Sequence, residues 1–187
     1  MIRFKFNEKK TTQVVAYFLK LNGDSLNYTK LMKLLYLTDR QALLLWNRSL
    51  TGDSYVSMPR GPVLSRTYEL ISYPADAENI SFWYKFISTQ GYDVTLNDNP
   101  GFGTLSEREI KLIAEMDKKY KLFNYKQMIN ICHRDCLEWN NPGYSSFPLP
   151  IEHILKALNI NHEERKLIAK EVADLNYIND LFSSTIE

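Results

Sequence analysis

The sequence has few cysteines, little glycine and no long apolar run. Its two cysteines, Cys132 and Cys136, give no disulfide framework, so a reducing cytoplasm is the predicted location. No stretch approaches the roughly 18–20 uninterrupted apolar residues that a membrane span needs. Basic residues in Met1–Lys10 are not followed by an apolar segment, which predicts that this stretch is not a secretory signal.

Motifs for phosphate binding, metal binding and nucleophilic catalysis are also missing. The sequence contains no P-loop, no H-E-x-x-H and no G-x-S-x-G elbow. Cys132, His133 and Cys136 form the one cluster with metal-ligand chemistry. Adjacent positions lie about 100° apart on a helix, so His133 points away from the two thiols, and a structural zinc ion needs four converging ligands. We therefore predict no enzymatic activity, no metal and no cofactor.

Composition and charge indicate one folded domain. Of the 187 residues, 44% are hydrophobic and 13% are aromatic, which is enough to build a core and excludes intrinsic disorder. Residues 1–70 carry 11 basic and 5 acidic side chains, a net +6, and residues 71–187 carry 12 and 17, a net −5. The overall charge of +1 argues against a dedicated nucleic-acid binder. The two halves are expected to neutralise each other, although a positive half can also steer a charged partner.

Helical periodicity dominates the chain. It predicts helices over Lys9–Leu21, from an Asn27 cap to about Asn47, from a Ser106 cap to about Lys121, from Asn124 to about Leu137, from Pro150 to Leu158, and over Glu163–Phe182. The second of these is apolar nearly all round, so we expect it to be central and buried.

The remaining segments predict a small β element and one more helix. Alternation over Ile80–Leu96, with a turn at Gln90-Gly91, favours a β-hairpin, although its aromatic run also fits a buried helix. Tyr55–Met58 is predicted as a short extended segment, Gly61-Pro62 as the opening of a helix that ends before Pro74, and Asn140–Pro150 as a loop. The predicted fold class is mainly α (α+β), a compact multi-helix domain with a small antiparallel hairpin.

Asp39 breaks the pattern of the predicted central helix, because it lies among apolar neighbours. A buried carboxylate needs a cation or several hydrogen-bond donors. The candidates are Arg60, Tyr55, Tyr68 and the backbone N–H groups of the Gly52–Ser54 turn. Asp39 is expected to clamp the following loop onto the helix; the alternative is that it lies under a groove and holds a partner-binding loop.

Three blocks of sequence resemble the Panacea (SocA-like) antitoxin domain family. They are K-L-M-K-L-L-Y-L-T-D over 30–39, T-G-D-S-Y-V-S-M over 51–58 with G-P-V over 61–63, and H-R-D-C-L-E-W over 133–139. The sequence departs from the family pattern at four positions: Ser57 replaces Ala, Arg60 replaces an aromatic residue, and Cys132 and Cys136 replace Thr and Pro. The structural motif residues implied by the resemblance are Asp39, Gly52, Asp53, Gly61, Pro62, His133 and Trp139.

The resemblance implies an antitoxin that binds a cognate toxin protein encoded nearby, in a bacterium or a prophage. The alternatives are an adaptor that delivers the toxin to a ClpXP-type protease, which adds a protease as partner, and a DNA-binding regulator. Neither a nucleic-acid nor a membrane partner is predicted. The candidate partner-binding residues are Tyr55, Arg60, Arg66 and Tyr68.

The resemblance also suggests a division of the chain. Residues 1–160 are predicted to form the Panacea-like domain, and 161–187 a C-terminal amphipathic helix packed on it. That helix is a second candidate for partner docking.

Overall fold

The computed structural model describes residues 2–73 and 81–184. Its helices are α1 (Glu8–Leu21), α2 (Tyr28–Trp46), α3 (Ser65–Ser72), α4 (Glu107–Tyr120), α5 (Tyr125–Asp135), α6 (Ile151–Ala157) and α7 (His162–Ser184). Its strands are β1 (Ser25–Asn27), β2 (Tyr55–Met58), β3 (Gly61–Leu64), β4 (Ile87–Gln90), β5 (Asp93–Leu96) and β6 (Phe147–Leu149), with one turn of 3-10 helix at Trp83–Lys85. The α+β class is confirmed.

Three of the predicted helix starts, those of α2, α4 and α5, are confirmed by their caps. The Asn27 side chain accepts hydrogen bonds from the backbone of Thr29 and Lys30 at the start of α2. Glu109 accepts from the backbone N–H of Ser106 at 2.9 Å, as the capping-box pattern requires. Asn124 caps α5 in the same way. These side chains satisfy N–H groups that have no partner within their own helix.

Helix α2 is the centre of the fold, as its sequence predicts. Twelve of its 19 residues are buried. It makes its most extensive contacts with α4, α5 and β3. These three elements therefore pack against one common helix. Only its last turn is open to solvent, where Leu44 and Leu45 are exposed.

Two three-stranded antiparallel sheets flank the helices, in the orders β1-β5-β4 and β3-β2-β6. In the first, β4 and β5 form the predicted hairpin with its turn at Gln90-Gly91. In the second, β2 and β3 form a hairpin that pairs Tyr55 with Leu64 and Met58 with Gly61, and β6 adds to the other edge of β2.

Three predictions for the irregular segments are wrong. Gly61-Pro62 does not open a helix: it lies in β3, and α3 begins at Ser65. Pro62 is tolerated because β3 is an edge strand, where a missing N–H breaks no ladder. Residues 83–85 form a 3-10 turn instead of the first half of a strand, and 147–149 of the predicted loop form β6. Pro74 and Ile80 lie outside the described residues.

Helix α7 is buried along only part of its predicted apolar face. Ile168 and Val172 join the core, whereas Leu167, Ile178 and Phe182 are exposed. Asn176 donates a hydrogen bond to the carbonyl of Arg3 at 2.8 Å, which ties this helix to the first residues of the chain. The proposed division at residue 160 stays a prediction. Over the part of the chain that the structure describes, every helix is too short or too polar to traverse a lipid bilayer.

Candidate functional site: the β2–β3 hairpin and its clamp

The motif residues that are far apart in sequence converge on the β2–β3 hairpin. Its second strand, β3, contacts both α2 and α5. Its turn, Pro59-Arg60, is exposed, while all four residues of β3 are buried. Four polar side chains fix the hairpin and the loops on either side of it. We call Lys33, Asp39, Asp53 and Trp139 the hairpin clamp.

Asp39 holds the loop that leads into the hairpin. Its carboxylate accepts hydrogen bonds from Thr51 Oγ1 at 2.8 Å, from Tyr55 OH at 2.9 Å, and from Ser49 Oγ and the Leu50 backbone N–H. Burial raises the pKa of Asp39, and these hydrogen bonds offset part of that rise. Of the predicted partners, Tyr55 is confirmed; Arg60, Tyr68 and the Gly52–Ser54 amides are not among its partners. The clamp interpretation of Asp39 is therefore the one that its contacts support.

Asp53 connects the loop before the hairpin to the start of α3, the helix that follows the hairpin. Its carboxylate accepts from the backbone N–H groups of Arg66 and Thr67 at 3.0 and 2.9 Å and from Thr67 Oγ1 at 2.7 Å. Asp53 thus caps α3 although it lies twelve residues before Ser65, the first residue of that helix. The β2–β3 hairpin reverses the chain and so brings the start of α3 next to Asp53. Leu64 stands at the N-cap position of α3 and has no side chain that could accept a hydrogen bond there. Asp53 takes over this role, and its negative charge is favourable at a helix N-terminus.

Two contacts fix the hairpin turn itself. Lys33 on α2 donates a hydrogen bond to the Pro62 carbonyl at 2.9 Å. Trp139 donates one from Nε1 to the Met58 carbonyl at 2.9 Å. The His133 ring stacks on Trp139 with centroids 4.0 Å apart and planes 6° from parallel, so it supports the indole from outside. The third motif block therefore anchors the turn from the α5 side.

Gly61 is required because the turn passes close to the helices. Its φ is +98°, and a Cβ there would lie 3.3 Å from both Lys33 Nζ and Cys132 Cβ. Glycine adopts this conformation without strain and leaves room for the lysine.

Glu138 is a buried residue of this region that sequence reasoning missed. It accepts hydrogen bonds from Tyr36 OH at 2.6 Å and from Arg40 Nε at 2.7 Å. The Tyr36 ring packs edge-to-face on that of Tyr55, with centroids 5.8 Å apart. The spacing of Tyr36 and Arg40, one helical turn apart on α2, was the signal that could have predicted a shared acidic partner.

The predicted partner-binding residues separate into two groups. Tyr55 is 2% exposed and its hydroxyl is held by Asp39, so it belongs with the structural contacts. Arg60 and Arg66 are exposed and Tyr68 is half-buried. Arg60 and Tyr68 line a cavity of about 240 Å³ beside the turn, which we call the hairpin cleft; its lining is Tyr28, Thr29, Met32, Lys33, Met58, Pro59, Arg60, Val63 and Tyr68.

The two cysteines lie beneath the hairpin. Cys132 and Cys136 are free thiols and both are buried. The hydrogen bond with Cys132, together with burial, raises the pKa of the Cys136 thiol. Within residues 2–73 and 81–184, no group of three or more His, Cys, Asp or Glu side chains is placed to hold a metal ion.

Replacing Ser57 with alanine is expected to stabilise the protein. The Ser57 side chain is completely buried in β2, and its hydroxyl has no hydrogen-bond partner among the described residues. An unsatisfied buried hydroxyl costs about 1–3 kcal/mol, and alanine is the residue that the family pattern has here. Ser57→Ala should therefore raise the free energy of unfolding by about 1 kcal/mol in urea denaturation. Ser25→Ala, at an exposed serine of β1, is the control and should change stability little; a destabilised Ser57→Ala would contradict the expectation.

One of three comparisons with known proteins found a match. A family model described as "Antitoxin SocA-like, Panacea domain" matches residues 31–140. This range contains all four clamp residues, the whole hairpin and the His133–Trp139 pair. The comparison with curated proteins and the comparison with solved structures gave no match. Because the matched range covers more than half of the chain, the protein belongs to the SocA-like Panacea antitoxin family.

Proposed function

We propose that this protein is an antitoxin that neutralises a toxin, encoded by a neighbouring gene, by binding it directly in the cytoplasm. The observation that carries the proposal is the family match over residues 31–140, since membership of an antitoxin family supports an antitoxin-like role. The protein then acts as a binding module and not as an enzyme. The side chains of Asp39, Asp53 and Trp139 in the hairpin clamp are engaged in hydrogen bonds within the fold, which supports a structural role for these three.

The surface that we propose for the toxin is the exposed hairpin turn with the start of α3. Arg60 and Arg66 are exposed there, and Tyr68 adds an aromatic side chain at the cleft. Arginine and tyrosine are enriched among the residues that dominate binding energy in protein interfaces. The clamp fixes the backbone beneath them, so little conformational entropy is lost when a partner binds.

Co-expression with each adjacent open reading frame tests the function. A toxic neighbour whose growth defect this protein relieves, and which co-purifies with it, is the expected result. If no neighbour is toxic, or if none is neutralised, the proposed function is wrong. Rescue that disappears when the host lacks its ClpXP-type protease would favour the adaptor instead of inhibition by binding alone.

Reversing the charge of Arg60 tests the surface. Arg60→Glu should weaken toxin binding by about tenfold, or about 1.4 kcal/mol, because the turn would then repel an acidic partner. Arg48→Glu is the matched control, since Arg48 is also exposed but follows α2 and lies outside the cleft. Equal affinities of the two variants, measured by calorimetry, would place the interface elsewhere.

A further inference from the structure

Lys33 is a buried cation without an acidic partner. The residue is 2% exposed, and the Pro62 carbonyl is the one hydrogen-bond acceptor that its ammonium group has among the described residues. An ammonium group carries three N–H bonds, so two remain without a protein acceptor. Buried lysines are rare unless they are paired, because removing the charge from water is costly.

The thiols of Cys132 and Cys136 favour the charged form of Lys33, but no carboxylate of the described residues is among the groups that act on it. Arg60 is a second cation, and the nearby ionisable groups are the thiols of Cys132 and Cys136 and the ring of His133. Burial, with a smaller contribution from Arg60, lowers the pKa of Lys33 to about 8, so the amine is still mostly charged at pH 7. The folded protein therefore keeps at this position a buried positive charge that no carboxylate pairs with among the described residues.

Lys33 lies at the hairpin cleft, together with Arg60. The apolar part of the wall comes from Met32, Met58 and Val63. The cavity volume of about 240 Å³ is below the range of about 300–1,000 Å³ that is usual for small-molecule sites. Its size and lining suit a single side chain with an aliphatic stem and an anionic end.

We propose that the hairpin cleft is a socket for one acidic side chain, Glu or Asp, of the toxin, whose carboxylate pairs with Lys33 and Arg60. This inference rests on the proposed function and names the chemistry of its interface. A carboxylate accepts several hydrogen bonds and can therefore satisfy the free donors of both cations. Nucleic-acid phosphates are contacted mainly by exposed basic side chains, so a buried lysine beside an apolar wall favours an inserted protein side chain.

The first test compares Lys33→Met with the wild type in the absence of any partner. Methionine has a similar length and no charge, so the variant should unfold at the same or a higher temperature at pH 7. In the folded protein the pKa of Lys33 is about 8, and in the unfolded chain it is near 10.5, so the unfolded state binds this proton more tightly. The free energy of unfolding of the wild type should therefore rise as the pH increases from about 8 to about 10.5. Lys33→Met should therefore show a smaller rise than the wild type. Lys30→Met, one turn away and outside the cleft, should keep the contribution of Lys33 and lose only its own, since burial lowers the pKa of Lys30 as well. Loss of folding in Lys33→Met would show that the lysine is needed for structure and would overturn the inference.

The second test uses a carboxylate probe on the full chain. Titration with sodium propionate should shift the backbone amide NMR signals of the cleft residues, whereas propionamide, which is neutral and of the same shape, should not. The propionate shifts should be absent in Lys33→Met. Equal responses to the two compounds, or propionate shifts that persist in the variant, would show that the cleft does not recognise a carboxylate.

The third test uses the toxin found by growth rescue. Lys33→Met should bind it at least tenfold more weakly, while Lys30→Met binds as the wild type does. Replacing the responsible acidic residue of the toxin should cause the same loss, with no further loss when both changes are combined. If the wild type and Lys33→Met neutralise the toxin equally, the socket is wrong and the antitoxin function stands; if the wild type neutralises no neighbour, the function itself fails.

Discussion

Asp39→Ala is expected to destabilise the protein by about 4 kcal/mol, because it removes the acceptor for at least four donors at once, three of them on buried residues. Those donors belong to Ser49, which is half-buried, and to the buried Leu50, Thr51 and Tyr55, and among the described residues no other acceptor binds all of them. The loop that carries Gly52 and Asp53 would lose its attachment to α2. Urea denaturation followed by circular dichroism measures the effect.

Two further variants separate the role of the Asp39 charge from that of its shape. Asp39→Asn keeps one acceptor oxygen and removes the buried charge, so we expect it to lose about half as much stability as Asp39→Ala. Asp98→Ala, at an exposed aspartate in a polar loop, should be close to the wild type. Wild-type stability of Asp39→Ala would refute the clamp.

The pH dependence of this contribution has a definite sign. Burial raises the pKa of Asp39 above its unfolded value of 3.8, so the folded state binds this proton more tightly than the unfolded state does. The contribution of Asp39 to stability therefore increases as the pH falls through the folded pKa toward 3.8. The stability difference between the wild type and Asp39→Asn should accordingly widen on acidification.

Gly52→Ala is expected to cost about 3 kcal/mol, for two reasons that add. Gly52 has a φ of +72°, a conformation that costs an L-residue about 1–2 kcal/mol. A Cβ there would also overlap the carbonyl oxygen of Lys5 and lie 2.7 Å from its carbon, and this is backbone that cannot rotate away. The N-terminal segment would have to move, although Asn7 ties it to the carbonyl of Thr51 by a hydrogen bond of 3.1 Å.

Gly91→Ala is the matched control for that substitution. Gly91 has a similar φ of +61°, but a Cβ there would meet nothing within 4 Å. Its loss should be about 1 kcal/mol, the conformational part alone. Equal losses in the two variants, measured as free energies of unfolding, would show that the approach of the Lys5 carbonyl has no energetic weight.

The helices were predictable because their signals are local. Apolar periodicity and the caps at Asn27, Ser106 and Asn124 depend only on neighbouring residues. The short strands were not, because their partners are remote: β1 pairs with β5, and β6 pairs with β2. Pro62 fits both the first turn of a helix and an edge strand, and only the pairing of β3 with β2 distinguishes the two.

The site was predictable where a residue broke a local pattern. Asp39 was singled out as a carboxylate in an apolar helix, and its pairing with Tyr55 is confirmed. Lys33 breaks the same pattern, between Met32 and Leu34. Lysine is usually exposed, however, so the sequence alone predicts a solvated member of the basic first half of the chain. The roles of Lys33 and Glu138 depend on Pro62 and Tyr36, which are distant in sequence, so only the folded structure reveals them.

Burial divides the hairpin region into an interior that carries the fold and a tip that is open to substitution. Asp39, Asp53 and Lys33 are almost completely buried, whereas Pro59 and Arg60 at the tip are in solvent. Exposed turn residues can be exchanged during evolution with little effect on the interior that supports them. Likeness in the buried motif therefore identifies the scaffold without identifying what its exposed tip contacts.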